Sequence, residues 1–142
     1  MKTLLFALLF SFLLPAENAI LSGIRSDAAA KKQRIAVYFS GSDWCANCHR
    51  FSKEVLSTPD IDQQLKNDFV FYTADFPQRK KLDAQTLAAN EQLAEKLNPE
   101  SRFPVLVITD GDLNVIARIH AGHDKVEVAQ KLAEIKKLAN GQ

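Results

Sequence analysis

The sequence predicts one α/β domain, a small central mixed sheet flanked by helices on both faces. Three observations predict it. Residues 34–40 (RIAVYFS), 68–75 (DFVFYTAD) and 103–110 (FPVLVITD) are apolar runs rich in β-branched and aromatic residues, as in buried strands. Helix-forming stretches separate these runs, and a long helical connection between the first two makes them parallel. A Gly-Asp pair at 111–112 then joins the third run to LNVIARIH (113–120), which reads as an antiparallel hairpin. With 142 residues, 46% of them hydrophobic and 25% charged, the chain has material for one core. A net charge of +1 gives no pull toward nucleic acid or anionic membranes.

The first 19 residues read separately from the domain at 20–142. One Lys precedes an apolar run from Leu4 to Leu14, and small residues follow at Ala16 and Ala19. This is the layout of a secretory signal peptide cleaved after Ala16 or Ala19, and the run is short for a membrane span. Leu14 and Glu17 fill the two −3 positions, so neither site is a clean A-x-A. An uncleaved N-terminal anchor is the alternative. No cysteine lies near the cleavage region, which excludes a lipoprotein. The expected location is therefore secreted, in the periplasm, with no stable membrane insertion after cleavage.

Along the domain, residues 22–33 read as a short helix with Ser26 as cap. The strand 34–40 follows, and GSDW turns the chain. CANCHRFSKEVL (45–56) suits a helix capped by Asp43 or Ser42. Thr58 then caps another helix whose first turn holds Pro59. After the strand 68–75, FPQRKKLDAQ is a charged loop. Its Arg79-Lys80-Lys81 run reads as a solvated turn, with a docking patch as the alternative. Residues 83–98 form a helix with Leu82, Ala89, Leu93 and Leu97 near one face, stopped by Asn98-Pro99. The last helix spans 124–140, with Asp124 and Glu127 as a capping box and Gly141 beyond its end.

The chemistry lies in DWCANCHR (43–50). Cys45 and Cys48 are the only two cysteines. A disulfide across two intervening residues constrains little of the unfolded chain, so it is a poor staple even in an exported protein. Redox or ligand chemistry is the better use. Cysteines at i and i+3 share one face of a helix and lie close enough to bridge. Cys45 falls at the helix N-terminus, where free N–H groups stabilise a thiolate, the nucleophile of disulfide exchange. Cys45 is then the exposed nucleophile and Cys48 the more buried resolving thiol. The strand-to-helix handover that holds them is where active sites gather in open α/β sheets.

Other uses of the motif compete. C-x-x-C-H is also a haem attachment motif, with His49 as proximal ligand. The only Met is Met1, so His120 or His123 would have to be the distal ligand, and the surrounding β-like runs do not suit a helical cytochrome. Cys45, Cys48 and His49, with His123, could hold a metal, and soft thiolates suit copper(I). Adjacent Cys48 and His49 are awkward partners on one zinc ion. A binding module with a vestigial dithiol is the remaining alternative.

The stretch from about residue 27 to 140 resembles a thioredoxin-fold protein. FSGSDWCANCHRFSKEVLSTPDI, ADFPQ and RFPVLVITDGD resemble the secreted bacterial thioredoxin-like proteins with a G-S-D-W-C-x-x-C signature. The resemblance implies a thiol–disulfide oxidoreductase with the reductase direction favoured. It makes Phe103-Pro104 a cis-proline bond beside the dithiol, and places Trp44 next to Cys45. Ala121-Gly122 becomes the glycine-containing loop, so that Trp44, Phe103, Pro104 and Gly122 line the substrate groove. His49 is either an imidazolium that lowers a cysteine pKa or a helix residue facing solvent. Partners would be disulfide- or dithiol-containing proteins and a membrane-linked redox donor or acceptor. No cofactor, metal or nucleic acid is implied. Two departures stand out: Tyr38 occupies the place of the family's buried acid, and Ala46-Asn47 replaces Gly-Pro between the cysteines.

Overall fold

The computed structural model describes residues 17–140. Most of the leader at 1–19, and Gly141, lie outside the described residues. The elements run α1 (Ala19–Lys31), β1 (Arg34–Ser40), α2 (Ala46–Phe51), a π-helical turn (Ser52–Leu56), α3 (Pro59–Asp68), β2 (Phe69–Asp75), α4 (Ala84–Leu97), β3 (Val105–Thr109), β4 (Val115–His120) and α5 (Lys125–Asn140). The strand order and the helical segments between strands are those expected, with α2, a π-helical turn and α3 together forming the crossover from β1 to β2. No described helix is long and apolar enough to cross a membrane.

The four strands lie in the order β2-β1-β3-β4. β1 pairs parallel with β2, and antiparallel β3 lies on its other side, followed by antiparallel β4. Central β1 and β3 are covered on both faces, which is why they read as unbroken apolar runs. Their side chains alternate between two cores. Ile35, Val37 and Phe39 join Val105 and Val107 under α1 and α4, with Leu93 and Leu97. Ala36 and Tyr38 join Leu106 and Ile108 on the face covered by α3 and α5, with Ile61, Leu65 and Leu132.

Several boundaries differ from the sequence expectation for local reasons. α1 starts at Ala19, because Asn18 accepts the Ile20 N–H, and Ser26 lies inside the helix. Thr58 precedes α3 but makes no side-chain cap; its hydroxyl donates to Val55 O at 2.7 Å. Leu82 precedes α4, and Asp83 caps that helix through the Thr86 N–H. β3 begins at Val105, since Phe103-Pro104 is a cis peptide bond outside the ladder. β4 begins at Val115: Leu113 adopts a φ of 63° in the turn and buries its side chain in the first core. The last helix does open with the capping box. Asp124 accepts the Val126 and Glu127 N–H groups, and Glu127 accepts the Asp124 N–H.

This topology gathers the chain's functional features at one end of the sheet. Parallel pairing sets Ser40 beside Asp75 at the carboxyl ends of β1 and β2. Antiparallel pairing sets Phe39 beside Val105, so the Phe103-Pro104 turn enters β3 at that same end. Buried Asn90 of α4 secures the end of β2 by donating to Asp75 O at 2.8 Å and accepting from the Tyr72 hydroxyl at 2.7 Å.

Candidate active site

Cys45 and Cys48 form a disulfide with their Cα atoms 5.2 Å apart. Cys45 is itself the N-cap of α2, and its Sγ accepts the Cys48 N–H at 3.1 Å. The order of exposure matches the expectation while its extent does not: Cys45 keeps 7% of its surface and Cys48 1%, so neither sulfur is openly exposed.

The expected caps are engaged elsewhere. Ser42 gives both its N–H and its hydroxyl to the Asp75 carboxylate. Asp43 accepts three backbone N–H groups across the chain, from Gln78 (2.8 Å), Arg79 (2.7 Å) and Lys80 (3.1 Å). These bonds, with that from Gln78 foremost, hold its carboxyl below the usual range. The motif turn is thereby clamped to the loop after β2.

Trp44 completes the clamp. Its indole N–H donates to Phe76 O at 2.7 Å, and its ring meets the edge of Phe103 at 5.6 Å. Phe103 in turn packs edge-on against Phe76 at 5.6 Å, and Phe76 stacks on buried Phe39 at 6.5 Å. A row of four aromatic rings therefore runs from the core to the side of the disulfide. Trp44 still exposes 42% of its surface. Gly41 is required by close approach, since a Cβ there would sit 2.5 Å from Trp44 Nε1.

Tyr38 lies behind the motif. It is buried, and its hydroxyl donates to Cys48 O at 3.0 Å. Burial, reinforced by the charge of Asp75, raises its pKa, so the phenol stays protonated and acts as a donor. It ties down the turn that holds Cys48. A cavity of about 270 Å³ opens here, lined by Tyr38, Cys48, His49, Ser52, Asp62 and Thr73.

Pro104 is buried, and Phe103 touches Trp44. Gly122 stands further off. It lines a groove of about 610 Å³ with Asn47 and Arg50 on the flank of α2, and a Cβ there would touch nothing. His120 pairs in register with Val105 next to the cis-proline turn. Burial, aided by Arg102, His123 and Arg118, lowers its pKa. Among the described residues no group of three or more His, Cys, Asp or Glu side chains could hold a metal. The two sulfurs that haem attachment would use are bonded to each other.

Sequence reasoning missed Phe76, Asp75 and Phe39 as parts of this end of the molecule. The ADFPQ stretch was the available signal, but it carries no chemistry until Trp44 is placed against it.

The model of the thioredoxin-like domain matches residues 24–136. The chain belongs to that family. Among curated proteins, this thioredoxin-like chain is similar to the disulfide bond reductase DsbH of Chlamydia pneumoniae, with 26% identity over 85 residues. That match covers 60% of this chain and 51% of the relative, about half the relative's length. Among solved structures, a DsbH oxidoreductase superposes with a TM-score of 0.74 at 21% identity, covering 82% of this chain and 81% of that one. A thioredoxin from Thermus thermophilus superposes with a TM-score of 0.60 at 20% identity, covering 85% and 88%. These two structural likenesses concern the fold.

Proposed function

We propose that this thioredoxin-like domain is a thiol–disulfide oxidoreductase that reduces disulfides in proteins. The observation that supports it is the Cys45–Cys48 bridge, closed across the first turn of α2 beside an exposed Trp44. The curated relative is a disulfide bond reductase, which supports the direction.

In the reduced protein the Cys45 thiolate attacks one sulfur of a substrate disulfide. The second substrate sulfur leaves as a thiolate and takes a proton. Cys48 then loses its proton to solvent water and attacks Cys45 Sγ. The remaining substrate sulfur leaves, and the Cys45–Cys48 disulfide forms. Two electrons and two protons have passed to the substrate. A fresh dithiol, from a membrane-linked donor, must reduce the bridge before the next cycle. His49 lines the same cavity as Cys48. In this reading Trp44, Phe103 and Pro104 line the path of the substrate segment, while Gly122 lines the separate groove on the flank of α2.

Reduction of insulin disulfides by the wild type, lost in Cys45→Ser, is the expected result. A wild type that leaves insulin intact in the presence of a dithiol donor sinks the proposal.

The protein is exported to the periplasm in this reading, and cleavage falls after Ala16. Glu17 pairs with Arg25 at 2.9 Å, and Asn18 both caps α1 and donates to Gln85 O at 3.0 Å. Cleavage after Ala19 would remove all three contacts. The intact mass of exported protein is expected to begin at Glu17; a mass beginning at Ile20 overturns the choice.

A further inference from the structure

We propose that the pocket beside Trp44 docks an acidic segment of the substrate protein, anchored by an apolar side chain close to the reacting cysteine. The inference rests on the exchange reading above and names what the site selects.

The pocket has a volume of about 340 Å³ and is lined by Phe76, Pro77, Lys80, Lys81, Leu82 and Leu87. Its floor is apolar and its rim cationic. Leu87 exposes 42% of its surface, as Trp44 does. Arg79, Lys80 and Lys81 are exposed. Among the described residues none of the three is in an ion pair. The neighbouring carboxylates have hydrogen bonds of their own: Asp43 accepts backbone N–H groups and Asp83 accepts from Thr86. The charged side chains that line the pocket itself are Lys80 and Lys81, both cationic.

The pocket is also fixed to the disulfide. Phe76 lines it and accepts the Trp44 indole N–H, and Asp43 holds the backbone of Gln78, Arg79 and Lys80. A segment bonded to Cys45 and passing over Trp44 meets Phe76, which lines the pocket. The larger groove on the far flank of α2 selects neither sign, because Arg50 and Lys125 there face Glu54 and Asp124. Charge complementarity therefore favours a Glu- or Asp-flanked apolar side chain on the Trp44 side.

Trp44 is the only tryptophan and is hydrogen-bonded to Phe76 of the pocket, so its emission reads binding there. Two peptides serve as probes, alike except that a leucine is flanked by glutamates in one and by lysines in the other. Serine stands in each for the reacting cysteine, so binding is read without exchange. Titrated into the oxidised protein, the acidic peptide is expected to bind about tenfold more tightly at low ionic strength. The difference should shrink between about 0.01 M and 0.15 M salt. Lys80→Glu with Lys81→Glu should reverse the preference, and a Leu→Ser acidic peptide should lose most of its affinity. Equal affinities, or an acidic preference that survives the charge reversal, overturn the docking surface. Reaction of the reduced protein with neutral dipyridyl disulfide, read on the same samples, tests the exchange reading separately.

Discussion

Cys48→Ser is expected to arrest exchange at the mixed disulfide and reduce turnover to background. The variant keeps Cys45 at the N-cap of α2, where its sulfur accepts the residue 48 N–H. Attack on a substrate disulfide can still occur. Release cannot, because serine does not displace a thiol from sulfur under these conditions. The covalent adduct should accumulate and dissolve on adding a small dithiol. Cys45→Ser should behave differently. The remaining thiol, Cys48, keeps only 1% of its surface and is held from behind through its carbonyl by Tyr38, so substrate sulfur does not reach it. Intact mass after incubation with a disulfide peptide reads both variants. An adduct on Cys45→Ser and none on Cys48→Ser would reverse the assigned roles.

The same asymmetry explains what the sequence disclosed about this site. The cysteine pair, Trp44 and the Phe103-Pro104 turn are visible because each is a residue type with a chemical reason to be where it is. Asp43 misled because aspartate two residues before a helix is a good cap by local rules. Its carboxylate is instead drawn to three N–H groups more than thirty residues away, and a cysteine caps the helix. No local pattern encodes that exchange of roles. Tyr38 was legible as a substitution for an acid but not as a donor to Cys48 O, which depends on the path of α2 over β1.

The fold was legible where both faces of an element are buried. β1 was bounded correctly because its six residues from Ile35 to Ser40 are all buried and nothing polar interrupts them. The apolar runs extend two residues ahead of the starts of β3 and β4, for one shared reason. Phe103 and Leu113 are apolar and do pack against the first core, yet they reach it from a cis-proline turn and a left-handed turn. Hydrophobicity reports burial and does not report hydrogen bonding in the ladder. The start of α1 was lost differently, since its Asn18 cap lies within the stretch read as leader.

Phe39→Ala is expected to lower stability by about 3–5 kcal/mol. Domains of this kind have about 5–15 kcal/mol in total, so the loss removes a large share of it. Phe39 is among the largest fully buried side chains, on the central strand. Its removal leaves a cavity and unseats the ring of Phe76, which stacks on it at 6.5 Å. Phe76 in turn supports Phe103, and Phe103 meets Trp44 beside the disulfide. Leu132→Ala provides the comparison. Leu132 is also fully buried, but in the second core, and its loss is expected to be about 2–5 kcal/mol. Both variants should shift the denaturant midpoint. Only Phe39→Ala should also move the emission of native Trp44 and slow insulin reduction under conditions where the protein remains folded. If Phe39→Ala shifts the midpoint while Trp44 emission stays as in the wild type, the aromatic row does not couple core to site. If both change together, the stability of this core and the shape of the groove rest on the same contacts, and substitutions in the row will alter exchange and stability together.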